Sequence, residues 1–323
     1  MLDLAVVVVS WNVRDLLRAC LASVYGSLEG SNLRGKVWVV DNASSDGSAD
    51  MVRKRFPQAR LIANEKNLGF AAANNQALRE MGYGVGDRGV TPTPYPLPPR
   101  YILLLNPDAI VVGDALATMV RFLDENLSVG VAGAKLLYPD GRLQHSAFAF
   151  PTLAQVFFDF FPIHHRLVES RLNGRYPHRL YEQGEPFPID HPLGAAMMVR
   201  GETIEQVGLL DERFRIYCEE IDWCMRMKEA GWGVYCVPQA EVVHYVAQST
   251  GQVRERMFVE LWRSRYLLFE KHYSRFYQWA VRRIVRMGLW AERRRVLRAY
   301  KRGEISRAEL ESRLAAYRMV AEM

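Results

Sequence analysis

Three groups of carboxylates in this chain have the types and spacing for chemistry. Asp41 and Asp46 lie in Asp41-Asn42-Ala43-Ser44-Ser45-Asp46-Gly47-Ser48, Asp108 closes Tyr101-Ile-Leu-Leu-Leu-Asn106-Pro107-Asp108, and Glu219, Glu220 and Asp222 put three acids into four residues. Carboxylates can hold a hard divalent cation or take a proton from a hydroxyl. Each group also has a plainer reading. An Asp at a turn commonly makes a local hydrogen bond, and acids at a helix start are favoured by the helix dipole. Asp222 and Arg226 have the i,i+4 spacing of a salt bridge. His244 follows an apolar run, where a histidine is either structural or a ligand.

The elements that must position these groups are legible as apolar runs. Residues 4–9, 36–40 and 101–105 are unalternating and of strand length, as expected for strands covered on both faces. They end on Ser10-Trp11-Asn12, on Asp41 and on Asn106, and Pro107 stops the third ladder because it has no N–H to give. Ligands of open α/β sheets collect outside the carboxyl ends of the strands, so these polar residues stand where a ligand would be. Helical spacing follows over 15–25 and 49–56, with Ser48 expected to cap the second helix. Asn67-Leu-Gly69-Phe70 runs into an alanine-rich helix; Gly69 either lets backbone approach a ligand or is an ordinary turn glycine.

Further on, 60–63, 129–134, 191–199 and 234–237 read as strands and 115–125 and 202–207 as helices. Pro139-Asp-Gly marks a hairpin, and a helix starts near Glu220 and stops at Gly231. Residues 151–188, rich in Phe, His, Arg and Pro, fit no period and are expected to form variable loops or a lid. Residues 82–100 carry four glycines and five prolines and read as an irregular loop. Within them Gly84-Val-Gly86-Asp-Arg-Gly89 spells the dinucleotide fingerprint without a preceding strand or a following helix. An oxidoreductase would place that fingerprint after the first strand, where this chain has Ser10-Trp11-Asn12.

With 323 residues, 49% hydrophobic and 24% charged, the chain is globular and larger than a usual single core. Its charge is uneven: residues 254–323 hold 18 Lys+Arg against 8 Asp+Glu, which leaves the remainder net negative. The expected division is a catalytic domain over 1–253 and a basic helical extension over 254–323. In the extension Phe276, Ala280, Ile284 and Met287 would form a stripe amid arginines, with Trp279 and Trp290 nearby. Such a helix either lies on an anionic membrane surface or packs on the catalytic domain. No nucleic-acid reader motif accompanies the charge, so nucleic acid is not an expected partner. Cys20, Cys218, Cys224 and Cys236 lack C-x-x-C spacing, which suggests free thiols in a reducing compartment. The first residues lack a basic n-region, and no run reaches the roughly 18 apolar residues of a membrane span. A cytoplasmic protein, peripheral on the inner face of the cell membrane if the tail binds lipid, is the expectation.

The joint order of Val8-Val9-Ser10-Trp11-Asn12, Val39-Val40 with the Asp41–Gly47 cluster, Asn67-Leu68-Gly69-Phe70-Ala71 with Asn74, Leu104-Leu105-Asn106-Pro107-Asp108, Gly194-Ala195, Glu219-Glu220-Ile221-Asp222 and His244 resembles the family 2 glycosyltransferases of the GT-A fold. The rhamnosyltransferase-like branch, which builds bacterial surface polysaccharides, is the nearest resemblance, over roughly residues 4–250. It implies an α/β fold, a mixed and mostly parallel sheet flanked by helices. It implies a nucleotide-diphosphate sugar donor, rhamnose as first candidate, and a saccharide or polyprenyl-linked saccharide acceptor. Asp41 would accept from the nucleotide base with Asn12 and Asp46 nearby, while Ser10, Asn42, Asn67, Gly69, Asn106 and Gly194 would line the nucleotide-sugar pocket. Asp108 and His244 would hold Mg²⁺ or Mn²⁺. Glu220 takes the position of the catalytic base, with Glu219 and Asp222 as the other candidates, in an inverting displacement. The family's usual Glu-Asp pair is Glu219-Glu220 here, a methylene longer. A noncatalytic sugar- or lipid-binding scaffold on the same fold is the alternative; it predicts missing acids, and the acids are present.

Overall fold

The structure is a computed structural model that describes residues 2–84, 98–246 and 254–323. The fingerprint letters after Gly84 and most of the 82–100 loop lie outside the described residues. In chain order the first elements are β1 (Leu4–Ser10), α1 (Arg14–Glu29), β2 (Gly35–Asp41), α2 (Ser48–Arg55), β3 (Arg60–Ala63), α3 (Phe70–Glu80) and β4 (Tyr101–Leu105). Then come β5 (Ala109–Val111), α4 (Ala115–Glu125), β6 (Val129–Leu137), β7 (Leu143–Gln144), β8 (Ala147–Phe148), α5 (Leu153–Phe160), α6 (His165–Val168) and α7 (His178–Glu182). The remainder is β9 (Phe187–Pro188), β10 (His191–Pro192), β11 (Ala196–Arg200), α8 (Gly201–Val207), α9 (Glu219–Glu229), β12 (Gly233–His244), α10 (Arg254–His272), α11 (Arg275–Lys301) and α12 (Arg307–Ala321).

The main sheet runs β3-β2-β1-β4-β11-β6-β12-β5, with β7 and β9 attached at its side. Its first four strands are parallel, β11 is antiparallel to both β4 and β6, and β12 is parallel to β6. The apolar runs 4–10 and 101–105 are buried along their whole length, as their lack of alternation requires. Leu17, Cys20, Leu21 and Val24 of α1 and Leu116, Met119, Val120 and Leu123 of α4 pack on the sheet in one core. The strand order reverses between β1 and β4, so the crevice at their carboxyl ends is the topological switch point.

The sequence reading departs from this fold in four places. After Pro107 the chain resumes as β5, antiparallel to β12, where no strand is expected from so short a run. Residues 234–237 and the run before His244 belong to one strand, β12, which passes through Pro238 at a register shift between Val237 and Glu241. An irregularity is the place where a strand tolerates the missing N–H of proline. The unassigned stretch 151–188 contains α5, α6 and α7. In α11 the buried positions are Val281, Val285, Gly288, Leu289 and Val296, not the anticipated stripe, and Phe276 and Met287 are exposed.

The described residues fall into two compact units. One is Met1–Phe148, His178–Arg215 and Glu219–Ser249; the other is Ala149–Pro177, Ile216–Cys218 and Thr250–Met323. The second unit is helical and takes in α5 and α6 as well as the basic tail. There the Phe160 ring stacks on Trp262 at 5.2 Å, Asp159 pairs with Arg265, and the hydroxyls of Tyr273 and Tyr277 donate to the Pro151 carbonyl. A Cβ at Gly288 would fall 2.2 Å from the Phe160 ring, so α11 approaches α5 only through glycine. Among the described residues no helix is long and apolar enough to cross a membrane.

Candidate active site

The carboxyl ends of β1 and β2 lie side by side, Ser10 opposite Asp41. Asp41 is buried, its Oδ2 accepts from the Ser44 amide at 3.0 Å, and its Oδ1 has no partner among the described residues. Ser10 Oγ, at the neighbouring strand end, is buried and unpartnered too. Asn12 adopts positive φ (53°), and its Oδ1 accepts the Ser45 amide at 2.8 Å, tying the β1 loop to the Asp41–Gly47 cluster. Asp46, and not Ser48, dresses the start of α2: its Oδ1 accepts from the Ser48 amide and hydroxyl, and its Oδ2 from the Arg14 amide. Burial would raise the Asp46 carboxyl, but these bonds from Ser48 and Arg14 prevail and hold it below its ordinary value.

Asn42 is wholly engaged in positioning. Its Oδ1 accepts from Asn64 Nδ2 and the Leu68 amide, both at 3.1 Å, and its Nδ2 donates to Asn67 Oδ1 and the Gly69 carbonyl. Asn67 Oδ1 in turn accepts from the Gly69 amide at 2.9 Å. Gly69 sits at φ +91°, and a Cβ there would lie 2.6 Å from the Arg215 carbonyl oxygen. The close approach that demands glycine is therefore to the chain's own backbone. Asn74, on the first turns of α3, is buried with an unpartnered Oδ1.

β4 and β12 bring together the second group. His244 ends β12 opposite Ala109, and its Nε2 lies 3.3 Å from Asp108 Oδ1 and 3.3 Å from Asn106 Nδ2. Its Nδ1 lies 3.2 Å from the Gln144 side-chain amide. In the tautomer that puts the proton on Nδ1, donating to Gln144 Oε1, the Nε2 lone pair faces the Asp108 carboxylate. A divalent ion with ligands near 2.1–2.2 Å sets neighbouring donors roughly 3 Å apart, so this buried N,O pair fits one. Gln144 escapes a reading of the sequence, because nothing local to 144 announces a partner a hundred residues away.

The third group opens α9. The amide of Asn106 donates to the Ala195 carbonyl at 2.9 Å, and next to it Gly194 lies against Glu220, where a Cβ would stand 3.7 Å from Glu220 Cγ. Glu219 and Glu220 each bury an Oε2 with no partner among the described residues. Burial pushes the Glu220 carboxyl up to about 7, against the smaller opposing effect of backbone amides at 220 and 221. Burial, and then the charge of Glu220, raise Glu219 well above the usual range. Tyr217 and Cys218, just before, both hold positive φ (70° and 67°), a strained entry that persists only where the surroundings enforce it. Asp222 stands apart from this pair. It is fully buried and its Oδ2 accepts from Arg226 Nε at 3.0 Å, while Arg226 also donates to the Val207 and Leu209 carbonyls.

A carboxyl near 7 is suited to accept a hydroxyl proton at neutral pH, and a cation at Asp108 and His244 would face a developing anion. Comparison with known proteins gives the fold and the family. The structure resembles a Pyrobaculum calidifontis mannosyltransferase solved with GDP-mannose and Mn²⁺, at TM-score 0.53 and 16% identity over 100% of this chain and 84% of that one. It also resembles the GalNAc-T7 structure with UDP, GalNAc and Mn²⁺, at TM-score 0.51 and 13% identity over 76% of this chain and 44% of that one. These two likenesses establish the GT-A fold. A Mycobacterium tuberculosis N-acetylglucosaminyl-diphospho-decaprenol L-rhamnosyltransferase is 29% identical over 221 residues, 67% of this chain and 68% of that protein. Escherichia coli rhamnosyltransferase WbbL is 28% identical over 149 residues, 45% of this chain and 52% of the other. The model of glycosyl transferase family 2 matches residues 5–191, more than half of the sequence, and the chain belongs to that family.

Proposed function

We propose that this glycosyltransferase moves a sugar, L-rhamnose as first candidate, from a nucleoside-diphosphate donor to a saccharide or polyprenyl-linked saccharide acceptor. The setting is bacterial surface-polysaccharide synthesis at the inner face of the cell membrane. The observation that carries this reading is the placement: among the buried oxygens that find no partner in the described residues, those of Ser10 and Asp41 stand at the carboxyl ends of β1 and β2, and those of Glu219 and Glu220 at the start of α9 beside Gly194. Buried polar atoms in native proteins have partners, so oxygens left without one point to a ligand that supplies them.

Asp41 Oδ1 and Ser10 Oγ are the acceptor and donor for the nucleotide, and Asn74 Oδ1 is a further acceptor. Asn12, Asn42, Asp46, Asn67 and Gly69 are positioning residues that shape the two loops. Asp108 and His244 would hold a divalent cation, a reading favoured by the Mn²⁺ of both structural neighbours, and that cation would supply positive charge against the leaving diphosphate. Gln144 orients the His244 ring through Nδ1, Asn106 lies beside the ring's Nε2, and Gly194 leaves room beside Glu220 for the sugar. Glu220 takes the acceptor hydroxyl's proton as that oxygen attacks the anomeric carbon from the face opposite the diphosphate. Inversion follows, with no covalent intermediate.

Thermal shift with a panel of nucleoside diphosphates and nucleotide-sugars, each with and without Mn²⁺, tests this. A true donor at a hundredfold excess over Kd stabilises the fold by about 2.7 kcal/mol. The expected result is a metal-dependent shift with one nucleotide, lost in Asp108→Ala. No shift with any nucleotide would favour the scaffold reading.

A further inference from the structure

The helix α11 is apolar on two sides. One side, Val281, Val285, Leu289 and Val296 with Gly288, is buried in the helical unit. Opposite it, the spacing of Phe276, Trp279, Arg283, Arg286, Met287, Trp290, Arg293 and Arg294 puts all eight within one arc at 100° per residue. Every one of them is exposed. Phe276 is 72% exposed, Trp290 57%, and Trp279 and Met287 53% each. The stripe extends roughly 27 Å along the helix. The Phe276 and Trp279 rings stack at 5.8 Å, the Arg283 guanidinium lies 5.5 Å from the Trp279 ring centre, and that of Arg294 lies 3.7 Å from Trp290. Glu292, the one acid among residues 275–301, falls on the other side of the helix.

Two tryptophans and a phenylalanine left in water gain nothing from folding alone, and an exposed apolar stripe of this kind marks a contact surface. The interleaving chooses the partner. Aromatic rings that seat at a headgroup boundary, alternating with cations and free of acids, complement an anionic bilayer; arginines at that depth reach phosphate while their stems cover the rings. We propose that the Phe276–Arg294 face of α11 docks the protein on an anionic phospholipid surface. This specifies the membrane part of the function proposed above and takes nothing from the identity of the sugar donor.

The test is flotation of the full chain with phosphatidylcholine vesicles, with and without phosphatidylglycerol. Wild type is expected to float with the anionic vesicles at least about tenfold more than with neutral ones, and the difference should fall as salt rises. Arg283→Glu/Arg294→Glu and Trp279→Ala/Trp290→Ala are each expected to lower partition roughly tenfold with unchanged far-UV dichroism and melting midpoint, since all four side chains are exposed. Wild type remaining in the aqueous layer with anionic vesicles, or variants floating as wild type does, would overturn the proposal. So would a concentration-dependent dimer in sedimentation velocity that the tryptophan variant abolishes without vesicles, since a second copy would then own the face. Nucleotide-dependent thermal shift, measured on the same variants, reports the donor site separately, so loss of one reading leaves the other legible.

Discussion

Glu220 combines a carboxyl raised to about 7 by burial with an Oε2 that no group among the described residues satisfies. The sign of its effect on stability follows from linkage. The folded state holds the Glu220 proton more tightly than the unfolded chain, so its contribution is full below about 4.5 and is lost as pH rises through about 7. Removing the charge in Glu220→Gln should therefore raise stability at pH 8 by on the order of 2 kcal/mol and change it far less at pH 5. The same variant should lose transfer by about 10²–10⁴ while keeping the nucleotide-dependent thermal shift. Wild-type turnover should climb with pH to a plateau above about 7. A variant that turns over normally would pass the proton to Glu219, whose own carboxyl is raised first by burial and then by Glu220.

At the scale of elements, α9 is held at its first turns by Asp222 and Arg226, and that pair separates structure from chemistry in the acidic cluster. Asp222 is fully buried, and the guanidinium it anchors also satisfies the carbonyls of Val207 and Leu209 at the end of α8. Asp222→Asn leaves Arg226 without its counter-charge, a change that costs about 3–5 kcal/mol in buried pairs. Urea unfolding should show that loss, while transfer per folded molecule is retained; lost transfer at unchanged stability would instead make Asp222 the base. This i,i+4 pair was legible from spacing alone, as were β1, β2 and β4, because each is a local pattern. What joins elements was not. The Asn42 contacts to Asn64, Asn67 and Leu68, and the hold of Gln144 on His244, depend on distant residues meeting, and no local period encodes them. Proline likewise hid the continuity of β12, since only the partner strand's register shows that Pro238 falls at a shift. α5 was hidden for the opposite reason: Leu153, Val156, Phe157, Phe158 and Phe160 leave an eight-residue helix with no clear polar face to give a period.

For the whole molecule, the second compact unit joins segments far apart in sequence, and this bears on how the chain can be cut. Within that unit Phe160 is 3% exposed and Trp262 1%, each largely by virtue of the helices around it, and Arg265 balances Asp159. A chain ended at Val246 would keep α5 but lose Trp262, Arg265 and Gly288. It would bare Phe160, which is worth roughly 1.5–3 kcal/mol when fully buried, and leave Asp159 without its cation. Such a chain should bind a hydrophobic dye strongly and elute from size exclusion as aggregate, although the sheet and all the acids of the site remain in it. The full-length chain with Trp279→Ala/Trp290→Ala should do neither, because those rings are exposed and bury nothing within the unit. If the shortened chain instead stays monomeric, dye-silent and cooperative in unfolding, α5 does not need the tail to cover its apolar residues. The basic helices would then be an appendage that can be removed from the transferase without cost to its fold.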